Sequence, residues 1–367
     1  MSSLALHEFH DGLNARFIEV NGSEVVDHYG DALAEHAALH DAAGAIDLSF
    51  RGRICLTGAD RVRLLNGQVT NNVKDLRGGE GCYAALVTAK GKLQSDLNIY
   101  NLPNELLLDF EPGLTEMITQ RLEKYVIADD VQVVDVSPHY GLLSVQGPKS
   151  KVVVQSLALP LEVPAKVFGF SSVIDTTLGE IYLVYHPRAG MGISGFDLFV
   201  PTPALGAVMD KLIIAAKQVG GSACGWRALE MSRIEAGIPR FGVDMDEHNL
   251  ASETGIESRA ISYSKGCYIG QEVIARIRTY GQVAKALRGL RLEGDLKELP
   301  EKGDKLFHDG KEVGYITSAL ASPSLKQNIA LGYVRKEANQ IDTELVLKEA
   351  EGKSRARIVA LPFQAIV

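Results

Sequence analysis

The sequence predicts an α+β amino-terminal region followed by a separate all-β barrel, and three observations carry that prediction. Up to about residue 280, strand-like and helix-like segments mix without strict alternation, which argues against a doubly wound parallel sheet. From about residue 281 the texture changes to short strands spaced by turn residues, with no helical periodicity. No internal repeat interrupts either stretch. The expected division is therefore 1–280, as two intertwined α+β subdomains, and 281–367, as the barrel.

The elements follow in order. ALAEHAALHDAA (32–43) spaces its apolar residues as a helix and ends near Gly44. FRGRICLTG (50–58) alternates as a strand, and Asp60 then stands where it can cap a short helix, RVRLLNG, closed by Gly67. CYAALVTA and KLQSDLNIY read as two strands meeting at Lys90-Gly91, and ELLLDF (105–110) as a third. Residues 114–126 read as a helix, and VQVVDVS and YGLLSVQG as strands. IYLVYHPRAGMGISGFDLFV (181–200) holds two apolar runs around a glycine-rich turn. Helices follow at 203–219 and at WRALEMSRIEAG, the latter stopped by Gly237 and Pro239, while 252–264 reads as irregular.

Charge and cysteine usage narrow the function. With 38 Lys and Arg against 46 Asp and Glu the formal charge is −8, so no broad basic face for nucleic acid is expected. The four cysteines (Cys55, Cys82, Cys224, Cys267) form no C-x-x-C pair, which suits a reducing cytoplasm rather than a zinc ribbon or disulfide framework. MSSLALHEFHDGLNARF has charges throughout and no apolar core, so it does not read as a signal peptide, and no membrane span is expected. Asn21-Gly22-Ser23 is then a sequon without secretion. These features predict a soluble, cytoplasmic chain.

Gly190-Met191-Gly192-Ile193-Ser194-Gly195 fits G-x-G-x-x-G, but FDLFVP follows as a strand where a dinucleotide fingerprint needs a helix. His36 and His40 share metal-ligand spacing on a helix, yet no third ligand is evident, and both read as surface or packing residues; no metal site is expected. The richest segment is Lys265-Gly266-Cys267-Tyr268-Ile269-Gly270-Gln271-Glu272, leading into a helix from Gly270 to about Thr279. Cys267 just before a helix N-terminus, with Lys265 two residues upstream, has the setting that favours a thiolate. Gly266 and Gly270 permit positive φ or close approach of a ligand. The same residues also fit a tight loop holding a buried, inert cysteine.

K-G-C-Y-I-G-Q-E resembles the signature of the YgfZ-type folate-binding proteins, relatives of the glycine-cleavage T-protein (aminomethyltransferase). LNGQVTNNV (65–73) with YAALVTAKGKLQSDLNIY (83–100) is similar to that family's amino-terminal region, and GWRALEMSRIEAGIPRFGVDM (225–245) to a stretch of the wider superfamily. The resemblance implies three subdomains in a cloverleaf around a tetrahydrofolate cavity. It also implies a role in iron–sulfur cluster assembly or maintenance and, through cluster enzymes, in tRNA modification, with assembly proteins or client enzymes as partners.

The same resemblance assigns residues. Asn72 falls where aminomethyltransferases carry an aspartate needed for one-carbon transfer, and a carboxamide neither accepts a proton nor carries charge. Asp75 substitutes only if the loop differs. Asp197 aligns with the pterin-holding glutamate, where its carboxylate accepts paired N–H donors. Arg227 stands where it meets the folate tail, unless it forms a surface pair with Glu230. Cys267 and Lys265 are the candidate reactive pair in the same cavity, with Tyr268, Gln271 and Glu272 shaping the loop. The alternative is a folate-dependent aminomethyltransferase or related one-carbon transferase, against which Asn72 speaks; a third reading is a scaffold stabilised by folate.

Overall fold

The computed structural model describes residues 2–190, 192–281, 283–294, 296, 298–348 and 353–363. Two units result, one built from Met1–Ala84 with Ser95–Ser232 and the other from Ala85–Gln94 with Arg233–Val367. The boundary between these compact units falls at 232/233, and the tip of one hairpin counts with the second unit.

The first unit holds two larger sheets. Sheet I has six strands in the order Phe170–Asp175, Gly179–Tyr185, Gly195–Pro201, Tyr140–Gln146, Gly44–Asp47, Ser222–Ala223. Sheet II has five, in the order Gly81–Val87, Leu93–Asn101, Leu106–Phe110, Gly52–Thr57, Gln132–Asp135. Strand periodicity sorts the side chains of Gly195–Pro201: Phe196, Leu198 and Val200 join the cluster packed with Leu205–Gln218, whereas Phe199 joins Tyr100, Leu107 and Cys55 of sheet II. The two sheets therefore share a core through one face each. Asp197 lies on the Phe199 side, two residues away, so the alternation that buries Phe199 also turns the carboxylate inward.

Most elements match the sequence expectations to within a few residues. The helix expected at 32–43 runs Ala32–Asp41 with Asp31 as N-cap, its side chain accepting from the Leu33 and Ala34 amides. Asp60 does not cap Arg61–Gln68; its carboxylate instead accepts from the Asp130 amide and Arg63. Residues 252–264 are not wholly irregular, since Glu257–Ala260 forms one helical turn. A hairpin of Arg16–Val20 and Ser23–His28 was not expected.

In the second unit six strands close a barrel in the order Lys285–Glu293, Gln327–Arg335, Lys311–Ser322, Lys305–His308, Glu344–Lys348, Lys353–Val359. Leu290, Ile316, Val334, Leu345 and Ile358 fill it. The hairpin tip is tied to the same unit by Leu93 N–H to Asn249 O at 3.0 Å and by Lys92 Nζ to His248 O at 2.6 Å. Among the described residues no helix is long and apolar enough to cross a membrane.

Candidate functional site

A chain of buried charges lies where the sheets of the first unit share their core. Asp109 stands between Arg53 and Asn98 in the strand register of sheet II. Its Oδ1 accepts from Arg51 Nε at 2.7 Å, and its Oδ2 from Arg188 Nη2 and Asn98 Nδ2, both at 2.8 Å. Arg51 also pairs with Glu111. Arg188 continues the chain to Asp197 of sheet I, with Nη2 at 2.8 Å and Nε at 2.9 Å from Oδ2. Asp197 further accepts from Ser144 Oγ at 2.8 Å, its cross-strand neighbour, and from His186 Nδ1 at 3.0 Å.

Burial raises the pKa of Asp109 and of Asp197, but the neighbouring guanidiniums outweigh it and both end below the usual carboxylate range. His186 is pushed down, first by burial and then by the Arg188 charge, so its neutral form is favoured. Gln146 closes the loop beneath, donating to Ser144 Oγ and His186 O while its Oε1 accepts the Arg188 and Ala189 amides. Gly195 makes room for it, because a Cβ there would stand 2.1 Å from Gln146 Oε1.

Asp96, on the next strand of sheet II, behaves differently. Tyr83 Oη donates to its Oδ2 at 2.8 Å, while Oδ1 is sealed from solvent and has no hydrogen-bond partner. Burial and then the like charge of Glu111 push this carboxyl up to about 6, against the opposing pull of Tyr83 and Arg51. A half-buried carboxyl whose pKa is raised in this way, with one oxygen uncommitted, has the chemistry that proton transfer uses. The sequence carries no signal for it, since Asp96 falls with Gln94 and Asn98 on the polar phase of KLQSDLNIY.

The residues expected from sequence are placed as follows. Asn72 sits in a loop and spends its carboxamide on Asp75, Nδ2 to Oδ2 at 2.7 Å. The carboxylate at Asn72 is therefore that of Asp75, which accepts from its carboxamide. Asp197 has no exposed surface and both its oxygens already accept from Arg188, so it presents no free edge to a pterin. The guanidinium that fits this carboxylate comes from Arg188 of the protein itself. Arg227, with its side chain 55% exposed, pairs through Nε and Nη2 with Asp27 rather than with Glu230.

Lys265, Cys267, Tyr268, Gln271 and Glu272 lie in the second unit. Lys265 is buried, its Nζ 5.1 Å from the centroid of the buried Tyr268 ring. The helix runs Gln271–Tyr280, with Glu272 exposed in its first turn and Gln271 half-buried. Gly270 caps it at φ +83, and a Cβ there would meet Thr88 O at 2.5 Å, so both conformation and contact require glycine. Gly266 meets neither requirement. Cys267 lies three residues before the Gly270 cap, and it is exposed rather than buried.

The cysteines differ sharply in environment. Burial pushes the Cys224 thiol up to about 12, against a partial offset from Ser222, and moves Cys55 upward as well. Brief alkylation of the folded protein is expected to label Cys267 and to leave Cys55 and Cys224 unmodified until denaturant is added. Mass spectrometry of the intact and digested protein reads this directly, and early labelling of Cys224 contradicts the packing described.

Two stacked sheets with an internal chain of charges, together with a six-stranded barrel, define an α+β protein with a network of internal carboxylates and guanidiniums. Residues 6–265 match the family description "GCVT N-terminal domain", and residues 285–364 match "Glycine cleavage T-protein C-terminal barrel domain". The chain belongs to the glycine cleavage T-protein family. It is 28% identical over 360 residues to the aminomethyltransferase of Shouchella clausii, covering 98% of this chain and 96% of that one. It is 29% identical over 365 residues to that of Symbiobacterium thermophilum, with 98% and 96% covered. The crystal structure of the glycine cleavage system aminomethyltransferase T from Bartonella henselae shares the fold, with a TM-score of 0.88 and 22% identity over 98% of this chain and 97% of that one. These relatives are all named aminomethyltransferases, which fixes the chain at the level of the T-protein family and leaves the YgfZ-type branch as a finer reading.

Proposed function

We propose that this protein is a tetrahydrofolate-dependent one-carbon transferase of the aminomethyltransferase type, with Asp96 as its proton-handling group. The observation that carries the reading is the half-buried Asp96 carboxyl, one oxygen bound by Tyr83 and the other sealed from solvent and unpartnered. An orphaned buried acceptor fits a ligand N–H, and a reduced folate offers several. The folate supplies the nitrogen that accepts the one-carbon unit. Asp96 holds a proton below its pKa of about 6 and accepts one at Oδ1 above it. Asp197 and Asp109 do no proton chemistry here; they hold Arg188 and Arg51 rigid behind the site. Arg227, with its exposed guanidinium, is the candidate contact for a carboxylate tail, in competition with Asp27.

Titration calorimetry with tetrahydrofolate is expected to give a saturable heat and a raised melting temperature. Supplied with the other glycine-cleavage components, the protein is expected to form methylene-tetrahydrofolate and release ammonia. No heat and no thermal shift at saturating reduced folate overturns the reading.

A second reading, service to iron–sulfur cluster proteins as in the YgfZ-type branch, is favoured by the exposed Cys267 within K-G-C-Y-I-G-Q-E. Under it, Cys267→Ser abolishes support of cluster-dependent enzymes in a complementation test while leaving transfer activity intact. Full complementation by the serine variant removes that reading.

A further inference from the structure

Asp96 is asymmetric: one carboxyl oxygen is bound and the other is not. Tyr83 stands on the neighbouring strand of sheet II and donates to Oδ2 at 2.8 Å, while Oδ1 is buried without a partner. Tyr83 is itself tied down. Asn71 Nδ2 donates to the Tyr83 carbonyl at 2.9 Å, and Asn71 Oδ1 accepts the Asn72 amide at 2.8 Å. The adjoining Asn66 fixes the same loop by accepting the Val73 and Lys74 amides. The asparagine-rich segment LNGQVTNNV thus anchors the strand that presents the phenol, and the phenol sets the carboxyl.

We propose that Tyr83 is a positioning residue, whose hydroxyl fixes the rotation of the Asp96 carboxyl so that Oδ1, and not Oδ2, meets the nitrogen of a bound reduced pterin. A carboxyl free to rotate about its terminal torsion presents two equivalent oxygens; a fixed donor at one of them breaks that equivalence. This rests on the reading of Asp96 as the proton-handling group. Tyr83 does not touch the reacting atoms and acts only through Asp96. The other ionisable groups acting on Asp96 are Glu111, whose like charge favours the neutral carboxyl, and Arg51, which favours the carboxylate.

The test compares wild type with Tyr83→Phe in the full chain. Isotope-edited infrared spectroscopy of the protonated carboxyl band, assigned by its loss in Asp96→Asn, gives the ionisation midpoint of Asp96 without any substrate. Removing a donor to the carboxylate is expected to raise that midpoint by about one pH unit. Tetrahydrofolate affinity is expected to stay within about twofold, whereas kcat falls roughly tenfold at unchanged KM and the acid limb of its pH profile moves up with the midpoint. An unchanged midpoint overturns the proposal, as does a loss confined to KM. Should Tyr83→Phe fold poorly, 3-fluorotyrosine at position 83, a stronger donor, is expected to move the midpoint downward; no movement overturns the proposal equally. If wild type neither binds folate nor transfers, the functional reading fails. The infrared midpoint still decides whether Tyr83 sets Asp96.

Discussion

Arg188→Ala is expected to destabilise the protein by roughly 3–5 kcal/mol at pH 7, the scale on which breaking a buried ion pair leaves uncompensated charge. Its guanidinium reaches Asp109 at 2.8 Å and Asp197 at 2.8 Å, and neither carboxylate has exposed surface. Asp109 retains Arg51 and Asn98, so the greater loss falls on Asp197, left with Ser144 and His186. The pH dependence separates the variant from wild type. In wild type both carboxyls are depressed, so their contribution is present above the unfolded value of about 3.9 and is lost as pH falls through the folded values. In the variant, burial acts on Asp197 with less opposition and raises its pKa. Stability is then fully present below about 3.9 and is lost as pH rises through the raised value. The gap between the proteins should therefore narrow from pH 7 to pH 4.5 in urea melts. A gap under about 1 kcal/mol at pH 7 would show that Arg188 contributes packing alone.

Asp96→Asn is expected to slow one-carbon transfer by about 10²–10⁴-fold, the usual contribution of a positioned acid or base. Wild-type activity should rise through pH 6, following the ionisation of Asp96, whereas the residual activity of the variant should be flat there. Stability is expected to move the other way. A carboxyl whose folded pKa is raised to about 6 contributes stability below about 3.9 and loses it as pH rises through 6, so ionised Asp96 is a cost at neutral pH. The asparagine variant, which carries no such charge, should be no less stable than wild type at pH 7.5. Paired kinetics and urea melts check both halves. A folded variant that keeps wild-type activity, or whose activity still rises through pH 6, removes Asp96 from the mechanism.

Much of the architecture was legible because local patterns sufficed. The six barrel strands were legible as short runs bounded by turn residues, although Gln327–Arg335 is buried along most of its length rather than on alternate residues. The hairpin Arg16–His28 was missed although its signal was present. Asn21-Gly22 connects the strands at φ 49° and 80°, the pairing that a two-residue hairpin loop favours, but the strands are short and largely polar. Gly270 was legible as a glycine with a conformational role, whereas Gly266 beside it was indistinguishable in sequence and needs neither positive φ nor space.

The sequence by itself determined the strand periods, the α+β and barrel divisions, and the family to which the chain belongs. It did not determine which polar residues carry chemistry. Asp96, Asn98 and Tyr100 occupy alternate positions of one strand, a face that reads as solvent-facing at Asp96 and Asn98. Yet Asn98 and Tyr100 are buried, and Asp96 Oδ1 is sealed. Only the packing of sheet I against sheet II makes that face interior. Asp197 was chosen from sequence as a ligand contact, and only the arrival of Arg188 and His186 from a neighbouring loop turned it into an internal counter-ion. Pairing and desolvation act over a few ångströms in space between residues distant along the chain, so the tertiary structure alone decides which carboxyl stays ionised and which is poised near neutrality.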